Sequence, residues 1–191
     1  MPNASTSFFG WVAFLLQKYG MLFLRGTGMT LLIALTGTAL GFALGLLVAI
    51  IRTIALPEKK KAGSNAGVIV KRGLLRFVHM LMNVYIQVFR GTPMIVQAVV
   101  IYYGAQYAGV FMDTTFAAIF IISINTGAYM AEIVRGGIIS VDKGQLEAAH
   151  AIGMTHWQTM TTVVLPQAIR NILPSVGNEL IVNIKDSSVL N

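Results

Sequence analysis

An uncharged stretch from Gly26 to Ile51 constrains the fold of this chain more than any other feature. About 20 apolar residues in a helix span the hydrocarbon core of a bilayer, so this stretch predicts a membrane crossing. The composition agrees, because 11% of the 191 residues are charged, whereas soluble domains carry about 25% charged residues. So little charge does not cover an aqueous surface, and lipid is the predicted solvent.

A basic run follows the first crossing. Its cations are opposed by one acid, Glu58, and they are Arg52, Lys59, Lys60, Lys61, Lys71, Arg72 and Arg76. Nucleic acid is a weak alternative partner for this run, because no aromatic residues interleave with the charges and apolar segments flank them. Basic loops favour the cytoplasmic side of a membrane, so the sequence predicts a cytoplasmic loop and an external N-terminus.

Three further crossings are predicted. Residues 77–89 are apolar but short, and we expect a helix along the cytoplasmic face that continues into an outward crossing over about residues 92–112. Residues 114–134 are expected to cross back, and residues 161–184 to cross a fourth time. Pro166 and Pro174 predict bends or breaks near the start of that last helix, because proline removes a backbone donor.

The N-terminal part carries two packing signals. Apolar residues at helical spacing over residues 8–23 predict an amphipathic interfacial helix, so residues 1–25 are assigned to an external segment. The alternative is a ragged start of the first crossing. Gly37, Gly41 and Gly45 recur every four residues, a spacing that lets helix backbones approach closely in lipid. Ordinary tolerance of glycine in membrane helices is the alternative explanation.

Five strings of residues, in order along the chain, carry a family resemblance. They are Phe89-Arg90-Gly91-Thr92-Pro93 with Gln97, Ala128-Tyr129-Met130-Ala131-Glu132-Ile133-Val134-Arg135-Gly136-Gly137, Gly144-Gln145-Leu146-Glu147-Ala148-Ala149 with Gly153, Leu165-Pro166-Gln167-Ala168, and Lys185-Asp186-Ser187. Together they resemble the permease subunits of bacterial polar amino-acid ABC importers of the glutamine, histidine and arginine type. The resemblance covers roughly residues 20–191. One string alone is weak evidence, whereas five in this order are specific.

The resemblance implies an all-α type I ABC importer transmembrane fold with an external N-terminus. Five spans are implied, of which four fit in this sequence and a fifth would follow residue 191. Residues 26–191 would form the transmembrane domain, with a cytoplasmic coupling loop, called the EAA loop, at about residues 136–165.

The same resemblance implies partners. The chain would be a multi-pass protein of the bacterial plasma membrane that pairs with a second permease subunit, either a copy of itself or a sister chain. Two copies of an ABC ATPase would bind ATP and Mg, and an external substrate-binding protein would deliver the amino acid. This chain would itself hold no cofactor or metal and no catalytic residue, and the histidines His79, His150 and His156 lack metal-ligand spacing.

The coupling loop is expected to contain a helix over residues 146–160. Glu147 would anchor its start through backbone amides or the helix dipole, and Gly153 would permit a sharp turn. Ala148 and Ala149 would leave one helix face without bulky side chains, so that the helix can bind in a groove of a partner. Composition alone equally allows a surface helix without a partner. The resemblance favours ATPase docking at Glu147, Ala148, Ala149 and Gly153.

Glu179 and Asp186 lie seven residues apart and therefore share a helix face. Acids inside a membrane are costly and usually face a cavity or a partner. Both are therefore predicted to bind the amino-acid substrate, together with Thr92 and Met94 at the start of the second crossing. Pro93 would leave a backbone carbonyl free for the same substrate. Two acids favour a basic amino acid or glutamine.

Structural roles remain as alternatives for these charges. Glu179 would instead form a hydrogen-bonded pair with Asn178 or Asn183, and Asp186 would pair with Lys185 or sit at a helix end. Glu132 and Arg135 are three residues apart, which favours an intrahelical ion pair over a contact with the coupling loop.

A different class of function also remains. A stand-alone secondary transporter or channel would use Glu179 and Asp186 as proton or cation sites. It would require an internal repeat or more spans, and it leaves the coupling loop unexplained. The sequence has no GxxxxGK[ST] phosphate loop, so ATP hydrolysis by that route requires a partner.

Overall fold

The computed structural model describes residues 7–54, residue 56 and residues 66–190. The described part is helical and contains no strand, which confirms the all-α class. Its elements are α1 (Phe8–Thr53), α2 (Ala66–Gly91), α3 (Met94–Tyr107), α4 (Thr114–Ile139), α5 (Lys143–Ala151), α6 (His156–Thr159), a π turn (Met160–Val164) and α7 (Leu165–Leu190). Glu58 and the lysines at 59–61 lie outside the described residues.

Two of the described helices, α1 and α4, are long and apolar enough to cross a membrane. Helices α2 and α3 meet at an angle of 111° and would supply a third crossing if the bent pair is one span. Helix α7 does not pass the same test of length and composition, because polar side chains recur along it. The fourth crossing over residues 161–184 therefore stays a prediction.

Helix α1 is a single helix of 46 residues. At 1.5 Å per residue it is about 69 Å long, more than twice the thickness of a bilayer core. It begins after Ser7, whose side chain accepts a hydrogen bond from the Gly10 amide, and it continues past residue 25 without a break. The helix therefore shows no boundary between an N-terminal segment and the first crossing, and the interfacial location of residues 8–23 stays a prediction.

Three glycines of α1 form a seam against α4. A Cβ atom added to Gly37, Gly41 or Gly45 would lie 2.6, 2.6 or 2.5 Å from side-chain atoms of Ile122, Thr126 and Met130, respectively. Such distances are closer than real Cβ atoms approach, so only glycine allows this separation of the helices. The predicted packing role of these glycines is confirmed. Residue numbers rise together along both helices, so α1 and α4 run parallel.

Helix α7 lies antiparallel to this pair. Near one end, a Cβ on Gly137 of α4 would meet Ile172 at 2.3 Å. Further along, the buried Asn183 donates through Nδ2 to Thr38 Oγ1 of α1 at 2.8 Å and to Thr126 Oγ1 of α4 at 2.9 Å. A buried amide is stabilised only when its polar atoms are paired, so this triad fixes where the three helices cross.

The prolines of α7 do not break it. Leu165 donates its amide to the Met160 carbonyl, five residues back, and this π turn directly precedes Pro166. The wider turn gives the proline ring room, because a normal α turn would press it against the carbonyl four residues earlier. Pro174 lies inside the continuous helix. The predicted irregularity at Pro166 therefore takes the form of a π turn, whereas no break occurs at Pro174.

Candidate coupling surface and intramembrane site

The coupling loop begins with α5, which Asp142 caps. The Asp142 side chain accepts a hydrogen bond from the Gly144 amide at 2.7 Å, as expected for a carboxylate at a helix N-terminus. The helix therefore starts at Lys143, and Glu147 lies in its middle with an exposed side chain. The prediction that Glu147 anchors the helix start is wrong, because Asp142 occupies that role.

A tight turn ends α5 at Gly153. Its φ is +83°, a left-handed conformation that favours glycine. The Gly153 amide bonds to the His150 carbonyl at 3.0 Å, and the Met154 amide bonds to the Ala149 carbonyl at 3.1 Å, which together form a Schellman motif. The predicted sharp turn is confirmed. The predicted helix over residues 146–160 is wrong, because the chain turns at Gly153 and Thr155 caps a separate helix, α6, reciprocally with Gln158.

One face of α5 is packed on its own chain. Leu146 contacts a cluster built on Val141, Val164 and Ala168, which joins α5 to the ends of α4 and α7 and to the π turn. Ala149 is 4% exposed. Its methyl group therefore lies inside this subunit, and of the two alanines only Ala148 presents an exposed side chain.

Two large apolar side chains project from this loop. Ile152 is 79% exposed and Trp157 is 75% exposed, although they lie on either side of the ordered turn at Gly153. The sequence analysis did not select them, but a tryptophan and an isoleucine within a mostly polar loop were the available signal. Exposed Glu147 and Ala148 complete the coupling surface, which we define as Glu147, Ala148, Ile152 and Trp157.

A buried polar network holds the break between α2 and α3. Pro93 has no amide hydrogen for the Phe89 carbonyl, four residues earlier. Gln97 Nε2 and Asn125 Nδ2 donate to that carbonyl instead, at 2.9 and 3.2 Å, and Asn125 Nδ2 also donates to Gln97 Oε1 at 3.0 Å. The prediction that Pro93 leaves a carbonyl free for substrate is wrong, because these two amides satisfy it.

Thr92 and Met94 are placed differently from the expected substrate contacts. The Thr92 hydroxyl donates to the Val88 carbonyl at 2.8 Å and accepts from Gln97 Nε2 at 2.8 Å. Met94 is half-buried against the cluster formed by Ile33, Ala118 and Ile122. Both side chains therefore have structural partners in this conformation.

Glu179 and Asp186 lie on one side of α7. Glu179 is 8% exposed, and Asp186 follows it by seven residues, or about two helical turns. The Arg90 guanidinium lies 5.3 Å from the centre of the Tyr129 ring. Asn183 donates to Thr38 and Thr126 rather than to Glu179, so the alternative pairing with Asn183 is not formed. Asp186 forms no ion pair with Lys185 among the described residues.

An ion cluster joins the ends of α1 and α4. Arg135 Nε donates to Glu132 Oε2 at 2.8 Å, and an Nη atom of Arg135 lies 2.8 Å from the same oxygen, so the predicted intrahelical pair is confirmed. Arg52 of α1 donates to the other carboxylate oxygen of Glu132. His79 Nε2 lies 3.1 Å from the Ile51 carbonyl. This end of α1 is therefore tied to α4 through charge and to α2 through His79.

The long apolar helices define the class as a multi-pass helical membrane protein. A family model described as a binding-protein-dependent transport system inner membrane component matches residues 63–191. The chain belongs to that family, and it is a permease subunit of an ABC importer in the plasma membrane. The resemblance inferred from the five strings is confirmed.

Individual relatives agree with this family. The glutamine transport system permease protein GlnP of Escherichia coli K12 is 39% identical over 170 residues, which cover 88% of this chain and 69% of GlnP. A crystal structure of an amino acid ABC transporter with histidines matches with a TM-score of 0.79 and 35% identity, covering 97% of this chain and 76% of that one. An inward-facing MetNI methionine transporter shares the fold, with a TM-score of 0.63, 24% identity and coverage of 88% and 72%.

Proposed function

We propose that this permease carries a polar amino acid across the plasma membrane, with a basic amino acid or glutamine as the favoured substrate. A separate ATPase drives it through the coupling surface, and an external binding protein supplies the substrate. The exposed Ile152 and Trp157 carry the proposal, because large apolar side chains outside the bilayer are stabilised when a partner covers them. The glutamine and amino-acid transport named for its relatives supports the choice of substrate.

Packing of α5 gives this surface a mechanical role. Leu146 belongs to the cluster that also contains Ile138 of α4 and Ile172 of α7. A partner that moves α5 would therefore move the adjoining ends of both helices, because close-packed groups transmit displacement. Nucleotide binding on the ATPase would bias the permease between inward-open and outward-open states.

The two acids of α7 support the choice of substrate. Glu179 makes no hydrogen bond to another described side chain, although it is nearly buried, so its carboxylate is available to a cationic or amide group. Asp186 adds a second acid two turns away. Glu179 and Asp186 are the proposed substrate residues of this subunit, and Thr92 and Met94 would join them only if a change of state releases their present contacts.

Co-purification tests the coupling surface. Replacing Ile152 and Trp157 with alanine should weaken retention of the ATPase about tenfold or more, because buried aromatic and aliphatic anchors dominate interface energies. Phe111 is 83% exposed at the opposite end of α4, so Phe111→Ala is the matched control for loss of an exposed aromatic group. Equal retention by the double variant and the control would contradict docking at this surface. Uptake that persists without any ATPase would favour a stand-alone transporter.

A further inference from the structure

The ends of α1 and α4 enclose a groove that the transport proposal does not use. Because the two helices run parallel, their last residues, Thr53 and Ile139, lie at the same end of the bundle. A cavity of about 220 Å³ lies there, lined by Ala49, Arg52, Thr53, Arg135, Ile138 and Ile139. Both helices are long and apolar enough to cross the bilayer, so this groove lies at the membrane surface where they end.

The groove has an excess of hydrogen-bond donors. Each arginine carries five guanidinium N–H groups, and Arg52 and Arg135 donate only two of those ten to Glu132 in hydrogen bonds. Among the described residues, two positive charges share one carboxylate, so the cluster of Arg52, Arg135 and Glu132 carries a net charge of +1. The side chains of Arg52 and Arg135 keep 23% and 48% of their surface exposed. An approaching anion can therefore reach them.

Carbonyl groups at the two helix ends oppose an anion, because helix C-termini carry partial negative charge. Three of these carbonyls already accept side-chain hydrogen bonds. Thr53 donates to Ile50 at 2.7 Å and Ser140 donates to Gly137 at 2.8 Å. The Ile51 carbonyl lies 3.1 Å from His79 Nε2. The partial negative charge of these carbonyls is thus partly compensated, and the positive charge of the guanidinium groups dominates the electrostatic potential of the groove.

The rest of the lining is apolar. Ala49, Ile138 and Ile139 form one wall, and Ile139 is 64% exposed. A free inorganic anion gains nothing from such a wall, whereas a lipid can place its acyl chains along it and its phosphate on the arginines. Basic pockets between membrane helices near a membrane surface are the sites where anionic headgroups bind.

We propose that this groove binds an anionic phospholipid, with Arg52 and Arg135 donating to the headgroup phosphate and Ile138 and Ile139 contacting the lipid chains. Glu132 lowers the affinity of the site, because its carboxylate competes with the headgroup phosphate for both arginines. The lipid would bridge α1 and α4 beside the start of the coupling loop. This inference does not depend on which amino acid is transported.

Native mass spectrometry of the full chain in micelles containing equal phosphatidylglycerol and phosphatidylcholine tests the site. The unmodified chain should retain phosphatidylglycerol selectively. Arg135→Gln should lower that retention about fivefold, since one basic residue at the surface contributes about that factor. Arg76→Gln removes an exposed positive charge from α2, one turn from His79, and is the matched control that should retain the lipid.

Glu132→Gln separates lipid binding from a structural role. It frees both arginines, so retention of phosphatidylglycerol should rise, whereas a merely structural cluster would lose lipid in both Glu132→Gln and Arg135→Gln. Equal losses in Arg135→Gln and Arg76→Gln would overturn the proposal in favour of diffuse charge attraction. Complete displacement of the lipid by inorganic phosphate would overturn it in favour of a soluble-anion site.

Discussion

Glu179 is the residue on which the substrate proposal depends most. It lies in the half of α7 that also carries Asn183 and Asp186. Of these three residues, Asn183 alone forms the buried hydrogen-bonded triad with Thr38 and Thr126. Among these three residues, Asn183 therefore holds the helices together, whereas the two acids form no hydrogen bond with a described side chain. Sequence spacing alone did not separate these roles, because all three residue types suit either.

Glu179→Gln should reduce the affinity for a basic amino acid about tenfold or more, because it removes a charge-assisted contact in a low-dielectric site. Uptake of radiolabelled arginine and glutamine into proteoliposomes that contain the assembled transporter measures the effect. Asn178→Ala changes the exposed neighbour of Glu179 on the same helix and should leave both affinities unchanged. Unaltered affinity of Glu179→Gln for both substrates would remove Glu179 from the proposed site.

Among the helices, α1 and α4 have a contact that tolerates no side chain at three glycine positions of α1. Its glycines lie opposite residues that are also spaced by four, so one seam continues over about two turns of both helices. Small residues allow this closeness in lipid, where association relies on packing rather than on the hydrophobic effect. The four-residue repeat was visible in the sequence, but the helix on the other side of the seam was not, because Ile122 and Met130 are not small.

Gly41→Ala should destabilise the protein by about 1–3 kcal/mol, the usual cost of overpacking. The new methyl group would lie 2.6 Å from Thr126 Cβ and 3.0 Å from the Ser123 carbonyl oxygen, and neither atom belongs to a flexible chain end. Gly28→Ala is the control in the same helix, where nothing lies within 4 Å, and it should be neutral or stabilising. Thermal unfolding in detergent compares them, and equal melting temperatures would argue against the seam.

The break between α2 and α3 was only half predictable. Arg90-Gly91-Thr92-Pro93 marked a turn, because proline disfavours a helical residue before it. The fate of the Phe89 carbonyl could not be derived, since Asn125 lies 36 residues further along the chain and reaches it only in the folded state. The Phe89 carbonyl, which was expected to bind the substrate, instead accepts hydrogen bonds within the protein.

At the scale of the whole molecule, the fold class followed from composition and the family from five ordered strings. The helix bounds in the coupling loop did not follow, because the caps at Asp142 and Thr155 and the left-handed turn at Gly153 set them, and the expected helix over residues 146–160 did not take these local signals into account. The contact of Arg52 with Glu132 was also missed, since these two residues lie 80 positions apart in sequence. Contacts within one helix were predictable, whereas contacts between helices required the structure.

Transmission from the coupling surface to the bundle depends on the turn at Gly153. Gly153→Val should uncouple ATP hydrolysis from transport, because a β-branched residue is strained at positive φ, whereas Gly153→Asn should retain most activity, since asparagine tolerates that conformation. Nothing lies within 4 Å of an added Cβ there, so the difference would report backbone strain rather than a clash. The ratio of amino acid transported to ATP hydrolysed measures it, and equal ratios would exclude the turn as a rigid link.

The parallel direction of α1 and α4 limits how many times the chain can cross the bilayer between them. Two neighbouring helices that point the same way require an odd number of returns through the bilayer between them, and α2 with α3 are the described elements available to make one. Helix α3, with 14 residues, is about 21 Å long and does not reach across a core of about 30 Å by itself. If the bent pair of α2 and α3 is one span, α2 supplies the remaining depth, and the bend beside the Phe89 carbonyl lies inside the membrane.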